Sequence, residues 1–407
     1  MEIELPEQNR WYFVFAFFFG TMGFIISTFR SDIVWAGVSL LYLALIYGIS
    51  KIEWESNIQR DIFSWPLLPL FLGVTGISIF LSSRWIFGDV AFAAMAPILG
   101  FMIILNLTYH TKFRTDLYFS ASFILLFTLA AGTVWGIVQF MGDRSFGSTA
   151  LPGNDKLMIQ FVFIAVAGLI ASYIFKRYRK TYYLKGKNYS ILNKIRSGFV
   201  MESKDPRGDL WDVIYSFFGS GDDDVLIPIS RALQLGIIGL AVFALMIYNL
   251  WAFFLAIPSF ILSILPTVYD RYFKEDVPVL FQFWISVTLF LYVMGETAGF
   301  QSRFDWWNMM THITAGIVVG ALIFISVYYI NQISETVYIP DWMMPALVLT
   351  FILSISLVWE LFEFSLDAIL STGLQPRLED TVFDMISNFV GAVIALLLTA
   401  LFTPYQS

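Results

Sequence analysis

The sequence predicts an all-α protein, a polytopic bundle of transmembrane helices with about twelve spans, and three observations support this fold class. Of the 407 residues, 58% are hydrophobic and only 14% are charged, whereas a soluble domain of this length carries about 25% charged residues. The mean hydropathy is +0.73. Apolar runs of about 18 residues or more recur along the chain, and each can cross a hydrocarbon core of about 30 Å.

These runs define the predicted spans in chain order. Most connections between them are short, as expected between neighbouring antiparallel helices. The spans of the first half are 11–29, 33–50, 65–83, 85–107, 117–141 and 157–175. The spans of the second half are 232–249, 251–268, 277–300, 306–330, 341–364 and 381–402.

One connection is long and divides the chain. Residues 176–231 begin with a basic stretch and turn acidic at Asp222-Asp223-Asp224. We expect this segment to be a cytoplasmic loop between two blocks of transmembrane helices, 1–175 and 232–407. We detect no residue-level repeat between the blocks, so the sequence gives no support for an inverted-repeat transporter, and it does not exclude one.

The distribution of positive charge predicts the orientation. With a cytoplasmic N-terminus, 18 of the 24 Lys and Arg residues lie on the cytoplasmic side, and the central loop holds eleven of them. We therefore expect both termini inside and a location in the plasma membrane. The basic stretch of the loop is typical of a topology determinant, and it also fits binding of anionic lipid head groups.

The composition excludes several kinds of site. The chain has no cysteine, which excludes disulfides, thiolate metal sites and cysteine nucleophiles. It has only two histidines, His110 and His312, which excludes multi-histidine zinc sites. The net charge of −7 gives no indication of a nucleic-acid partner.

The polar residues of the last four predicted spans are the strongest functional signal, because ionisable groups at membrane depth are costly. They lie where the ninth and eleventh spans end and where the tenth and twelfth begin, which is one side of the membrane, predicted to be the outer side. Within a span they recur at helical spacing and share a face. They are Glu296, then Asp305 and His312, then Glu360, Glu363 and Asp367, and finally Arg377, Glu379, Asp380, Asp384 and Asn388.

Such an acidic set cannot stay fully ionised and unpaired in a medium of low dielectric constant. A cation can neutralise it, some carboxyl groups can hold protons, or Arg377 and Arg303 can pair with it. Oxygen donors with one imidazole suit a divalent cation such as Mg²⁺, Mn²⁺ or Ca²⁺ better than a structural zinc. The candidate metal ligands are Glu360, Glu363, Asp380 and Asp384.

Capping of helix ends is the alternative explanation for these acids. It accounts well for Asp305, Glu379 and Asp380, because acids near a helix N-terminus interact favourably with the helix dipole. It accounts poorly for Glu360 and Glu363, because acids near a helix C-terminus oppose the dipole. The functional explanation therefore depends mainly on these two glutamates.

The order of these residue types resembles the VanZ-like superfamily of small membrane proteins and its YjdF-like relatives of bacterial inner membranes. The resemblance covers the last four predicted spans only, and the first eight lie outside it. VanZ-like proteins tend to have a glutamine where this chain has its second acid, Glu363, which is closer to the YjdF-like version. The family's link to glycopeptide (teicoplanin) resistance implies a role at the outer face of the envelope and defines no reaction. The residues that carry the resemblance are Asp305, His312-Ile313-Thr314-Ala315-Gly316, Trp359-Glu360-Leu361-Phe362-Glu363, Arg377, Asp380, Asp384, Asn388 and Gly391-Ala392.

The leading hypothesis is a cation-binding site near the outer leaflet that acts on or binds a lipid or a lipid-linked envelope precursor. In its enzymatic form, a metal ion held by Glu360, Glu363 and Asp384 activates water or a head group, and His312 is the acid or base. One alternative is a proton- or cation-coupled transporter, and another is an accessory subunit of a membrane complex. Whether the protein is an enzyme stays open. The candidate catalytic residues are His312, Glu360 and Asp384, and the candidate substrate-binding residues are Arg377, Asp305 and Asn388.

Overall fold

The computed structural model confirms the predicted all-α class: the residues that it describes form ten helices of 20 residues or more. These helices are α1 (Glu7–Phe29), α2 (Trp85–His110), α3 (Leu117–Phe146), α4 (Asn154–Leu184), α5 (Asp223–Met246), α6 (Leu250–Phe273), α7 (Val279–Ala298), α8 (Asp305–Ile333), α9 (Met344–Leu370) and α10 (Leu378–Phe402). The described residues are 7–29, 36–37, 39–44, 75, 77, 85–111, 113–147, 151–184, 223–273, 277–334, 337–375 and 377–402.

Eight of the described helices, α3 to α10, are long and apolar enough to cross a membrane. Each overlaps one of the eight predicted spans from 117–141 onwards, with boundaries that differ by a few residues. The predicted spans 11–29 and 85–107 lie in α1 and α2, in which the described apolar stretches are shorter. The predicted spans 33–50 and 65–83 and most of the central loop lie outside the described residues. The total of about twelve spans and the sides of the termini therefore stay predictions.

Helices from the two predicted blocks pack together. The pair α3 and α9 is joined by two hydrogen bonds from side chains to the facing backbone. Thr133 Oγ1 donates to Leu353 O at 2.8 Å, and Ser354 Oγ donates to Leu126 O at 2.5 Å. Buried apolar residues of α2, α3, α4, α9 and α10 form one core cluster. The helices α5, α6 and α7 pack on one another, and α7 also packs on α8.

The helices α8 and α10 make the most extensive contact in the described structure, because small residues face each other along it. A Cβ atom at Gly316 would lie 2.5 Å from the carbonyl oxygen of Asn388, and one at Gly391 would overlap the carbonyl oxygen of Ile313. A Cβ atom at Gly320 would lie 3.2 Å from the Cα atom of Ala392. This is the small-residue packing that lets membrane helices approach to backbone contact. Polar side chains one turn before these glycines are therefore brought side by side.

Candidate functional site

The polar side chains of α7 to α10 meet at the end of the bundle where α8 and α10 begin. The carboxylate of Glu360 has no exposure at all, and the others are buried or partly buried. Each acidic member lies within electrostatic range of others in the set. We call this set the polar cluster; its members are Glu296, Asn308, His312, Glu360, Glu363, Asp380, Asp384 and Asn388.

A chain of hydrogen bonds joins α8 to α10 within the polar cluster. Asn308 Nδ2 donates to Asp384 Oδ1 at 2.7 Å and, more weakly, to Asp380 Oδ1 at 3.4 Å. His312 Nε2 lies 3.5 Å from Asp384 Oδ2. Asn388 Nδ2 lies 3.2 Å from His312 Nδ1, so the second ring nitrogen accepts and Nε2 carries the proton that faces the aspartate. The imidazole is thus held from both sides.

The helix α9 supplies the two glutamates. Glu360 Oε2 accepts a hydrogen bond from Gln375 Nε2 at 2.7 Å, and its other oxygen, Oε1, is buried without a partner. Glu363 Oε1 accepts a hydrogen bond from Trp359 Nε1 at 2.8 Å. One turn before Glu360, Ser356 Oγ accepts from Asn388 Nδ2 at 3.0 Å, which connects α9 to the α8–α10 chain.

The loop between α9 and α10 positions the amide that binds Glu360. Asp367, near the end of α9, accepts hydrogen bonds from the backbone N–H groups of Leu374 and Gln375, each at 2.8 Å. The side-chain oxygen of Gln375 accepts from Asn154 Nδ2, at the start of α4, at 3.3 Å. Asp367 was grouped with the glutamates by its spacing, and the structure shows that it organises the loop. Its carboxylate accepts hydrogen bonds from the loop that follows α9, so it stabilises the conformation of that loop.

The charge balance of the polar cluster is incomplete. His312 contacts Asp384 as a neutral imidazole and adds no positive charge, and in the part of the chain that the structure describes no Lys or Arg forms an ion pair with Glu360 or Glu363. Uncompensated carboxylates at membrane depth are expensive. The carboxylates hydrogen-bond to different partners, and among the described residues no three Asp, Glu or His side chains are arranged to hold one metal ion. The four candidate ligands are thus near one another without forming a coordination shell.

Two of the three candidate substrate-binding residues lie at the exposed rim. Arg377 Nη2 donates to Asp305 Oδ1 at 3.0 Å, and the side chains are 56% and 79% exposed, respectively. Asp305 is the first residue of α8, which places it in the first turn where the dipole favours an acid. Asn388, the third candidate, is buried beside His312. The structure therefore separates the exposed pair from the buried residues.

Four partners of the candidate residues were not identified from the sequence: Asn308, Ser356, Trp359 and Gln375. Three of them stand four residues from a candidate on the same helix: Asn308 before His312, Ser356 before Glu360, and Trp359 before Glu363. Because residues four apart on a helix are neighbours, this spacing could have indicated that the three polar residues lie beside the candidates. Gln375 lies in a loop, and its place beside Glu360 depends on the loop conformation.

Another buried acid, Asp89, lies on α2, outside the polar cluster. Gln160 Nε2 of α4 donates to Asp89 Oδ1 at 2.7 Å. Helix packing explains the burial, because α2 and α4 contact each other closely.

Comparison with known proteins gives one finding. Residues 229–404 match a family described as "Predicted membrane protein (DUF2238)". The matched region begins in α5 and runs past the end of α10, so it contains the whole polar cluster, and α1 to α4 lie outside it. No curated protein and no solved structure matches the chain. The match agrees with a multi-pass membrane protein, and the resemblance to VanZ-like and YjdF-like proteins stays a prediction.

Proposed function

We propose that the polar cluster binds a cation, and that the protein acts on or binds a lipid or lipid-linked envelope amphiphile at the outer leaflet of the plasma membrane. Glu360 supports this proposal most directly. Its carboxylate is fully buried, one oxygen has no partner, and Glu363 and Asp384 are within electrostatic range. A cation taken up beside the free oxygen would relieve the repulsion among these groups.

The imidazole of His312 adds a chemical capability to this binding site. Its Nε2 faces a carboxylate, and its Nδ1 accepts from an amide. A histidine held in this way is oriented for general acid–base catalysis, in which the ring takes up or releases a proton at one defined nitrogen. The enzymatic hypothesis uses this capability, whereas the binding hypothesis needs only the carboxylates.

Proton-coupled transport is the second candidate, and the side chains of the polar cluster that can take up protons favour it. Asp384 of α10 lies 3.5 Å from His312 of α8, and Glu360 and Glu363 of α9 are within electrostatic range of Asp384. Chains of Asp, Glu and His across membrane helices are typical of proton relays. In this candidate function the cation that neutralises the cluster is a proton.

Thermal unfolding of the purified wild-type protein tests the cation proposal. A ligand that binds only the folded state stabilises it by mass action, by about 2.7 kcal/mol at a concentration of a hundred times Kd. We expect the melting temperature to rise with millimolar Mg²⁺, Mn²⁺ or Ca²⁺ at constant ionic strength, or to rise as the pH is lowered. A metal response supports a metal ion and a pH response alone supports the proton. A melting temperature that responds to neither excludes both the metal ions and the proton as the cation.

The outer-leaflet location depends on orientation, which limited proteolysis tests. We expect the loop 176–231 to be protected in intact cells and to be cut in inside-out vesicles, because its eleven Lys and Arg residues favour the cytoplasmic side. The fragments can be followed with tags at each terminus, and a periplasmic or surface protein serves as the control for cell integrity. Cleavage of the loop in sealed cells would show that the orientation is reversed and that the polar cluster lies on the cytoplasmic side.

A further inference from the structure

We infer that the cation bound by the polar cluster is the ammonium group of an amine-bearing lipid head group, which enters sideways from the bilayer between α7 and α9. This inference rests on the proposed function and specifies the chemical class of the amphiphile. Three features of the described residues support it: the boundary between the two helices, the aromatic side chains beside the carboxylates, and the acceptor oxygens.

The first feature is the boundary between α7 and α9. Both helices pack on α8. Among the described residues, α7 and α9 meet through the rings of Tyr292 and Trp359, whose centroids are 6.0 Å apart at an angle of 69°. Val358 and Phe362, before and after this point on α9, are exposed apolar side chains, as expected of a surface that faces lipid. Trp359 therefore lies between the lipid-facing surface and the polar cluster.

The second feature is the combination of aromatic rings with carboxylates. Trp359 binds Glu363 through its indole N–H, and Tyr292 is within electrostatic range of Glu363 and Glu296. Ammonium groups bind favourably over the faces of aromatic rings, and this contact strengthens where water is excluded. A hard metal ion gains nothing comparable from rings, because it requires oxygen ligands.

The third feature is how the acceptors are arranged. The carboxylates of Glu360, Glu363 and Asp384 hydrogen-bond to separate partners. A metal ion needs several oxygen ligands around one point, whereas a primary ammonium is satisfied by up to three acceptors at about 2.9 Å and can also lie over an aromatic face. Carboxylates that stand beside the rings of Trp359 and Tyr292 therefore suit the ammonium better. Glu360 Oε1, buried and without a partner, is an acceptor that such a donor can satisfy.

The depth of the acceptors fits a head group. Glu363 lies seven residues before the end of α9 at Leu370, which corresponds to roughly 10 Å along the helix axis. The head-group region of one leaflet is about 5–7 Å thick, as the difference between the full bilayer and its hydrocarbon core shows. With the end of α9 taken as the membrane surface, an amine that dips slightly below the head-group level reaches Glu363 first and Glu360 beyond it.

The test compares lipids that differ only in the amine. Purified full-length protein in mixed micelles is titrated with phosphatidylethanolamine, with its N-acetylated form and with phosphatidylglycerol, all with the same acyl chains, and the melting temperature is followed. We expect phosphatidylethanolamine to stabilise wild type at a concentration about tenfold lower than the other two lipids, because a charge-assisted contact is worth about 1.4 kcal/mol or more. Phosphatidylcholine shows whether a quaternary ammonium is also accepted.

Variants assign the effect to the residues. Glu363→Gln and Trp359→Leu should each lose the preference for the amine, and Glu379→Gln, the same change at an exposed glutamate of α10, should keep it. If phosphatidylethanolamine and its N-acetylated form stabilise the protein equally, the ammonium proposal is wrong. If metal ions or protons stabilise that same protein, the proposal of a cation site still holds. If neither amine lipid, metal ion nor proton stabilises the protein, both proposals fail.

Discussion

Glu360→Gln is expected to abolish the response of the protein to its cation while leaving the unliganded protein folded. Glutamine keeps the shape of the side chain and its ability to contact Gln375, and it removes one buried negative charge. The remaining carboxylates then repel one another less, so the free energy of unfolding without cation should be unchanged or somewhat higher. The stabilisation of about 2.7 kcal/mol at a hundredfold excess of cation over Kd should disappear.

Two further variants complete this experiment. Asp384→Asn should lose the cation response in the same way, because Asp384 accepts from Asn308 and lies beside His312 in the same cluster. Asp305→Asn should keep the response, because its exposed pair with Arg377 contributes at most about 1 kcal/mol. If all four proteins responded equally to cations, the acids would be ordinary interfacial residues, and the accessory-subunit hypothesis would be favoured.

Gly391→Leu is expected to prevent the correct packing of α8 on α10. Even a Cβ atom at this position would overlap the carbonyl oxygen of Ile313, and the neighbour on α8 is backbone, which cannot rotate away. Overpacking of well-packed sites commonly costs about 1–3 kcal/mol, and we expect the upper end of this range or more. Little folded protein should be recovered in detergent, and what is recovered should melt at a clearly lower temperature.

Gly239→Leu is the matched control for this prediction. It makes the same substitution within the apolar helix α5, at a glycine whose Cβ direction is open. In a bilayer, leucine at such a position is as apolar as the lipid, so its effect should be small. If both variants lost folded protein to a similar extent, insertion of the helices into the membrane, and not the α8–α10 contact, would be the step that the substitutions disturb.

The sequence predicted those features of the fold and the candidate site that depend on one helix at a time. Apolar run length identified each of α3 to α10 because a span needs about 20 apolar residues wherever it packs. Helical spacing placed Glu360 with Glu363, and Asp384 with Asn388, on shared faces because that spacing is fixed by the helix period.

Features that depend on contacts between segments were not predictable in the same way. Gly316 and Gly391 stood in the quoted motifs, but their close approach depends on how two helices pack. The position of Gln375 depends on a loop anchored by Asp367. Asp305 shares its spacing with His312, yet it lies at the rim because it is the first residue of its helix. Periodicity indicates direction around a helix and does not indicate depth in the assembled bundle.

The hydrogen bonds of Gln375 have a consequence for cooperativity within the protein. Its amide nitrogen donates to Glu360, and its amide oxygen accepts from Asn154 in the first turn of α4. A change in what Glu360 binds therefore alters the constraint on α4, and a change in α4 alters the affinity of Glu360 by an equal factor, as thermodynamic linkage requires. α4 lies outside the region that matches the membrane family. The proposed function therefore makes cation binding at Glu360 depend on a helix of the N-terminal half.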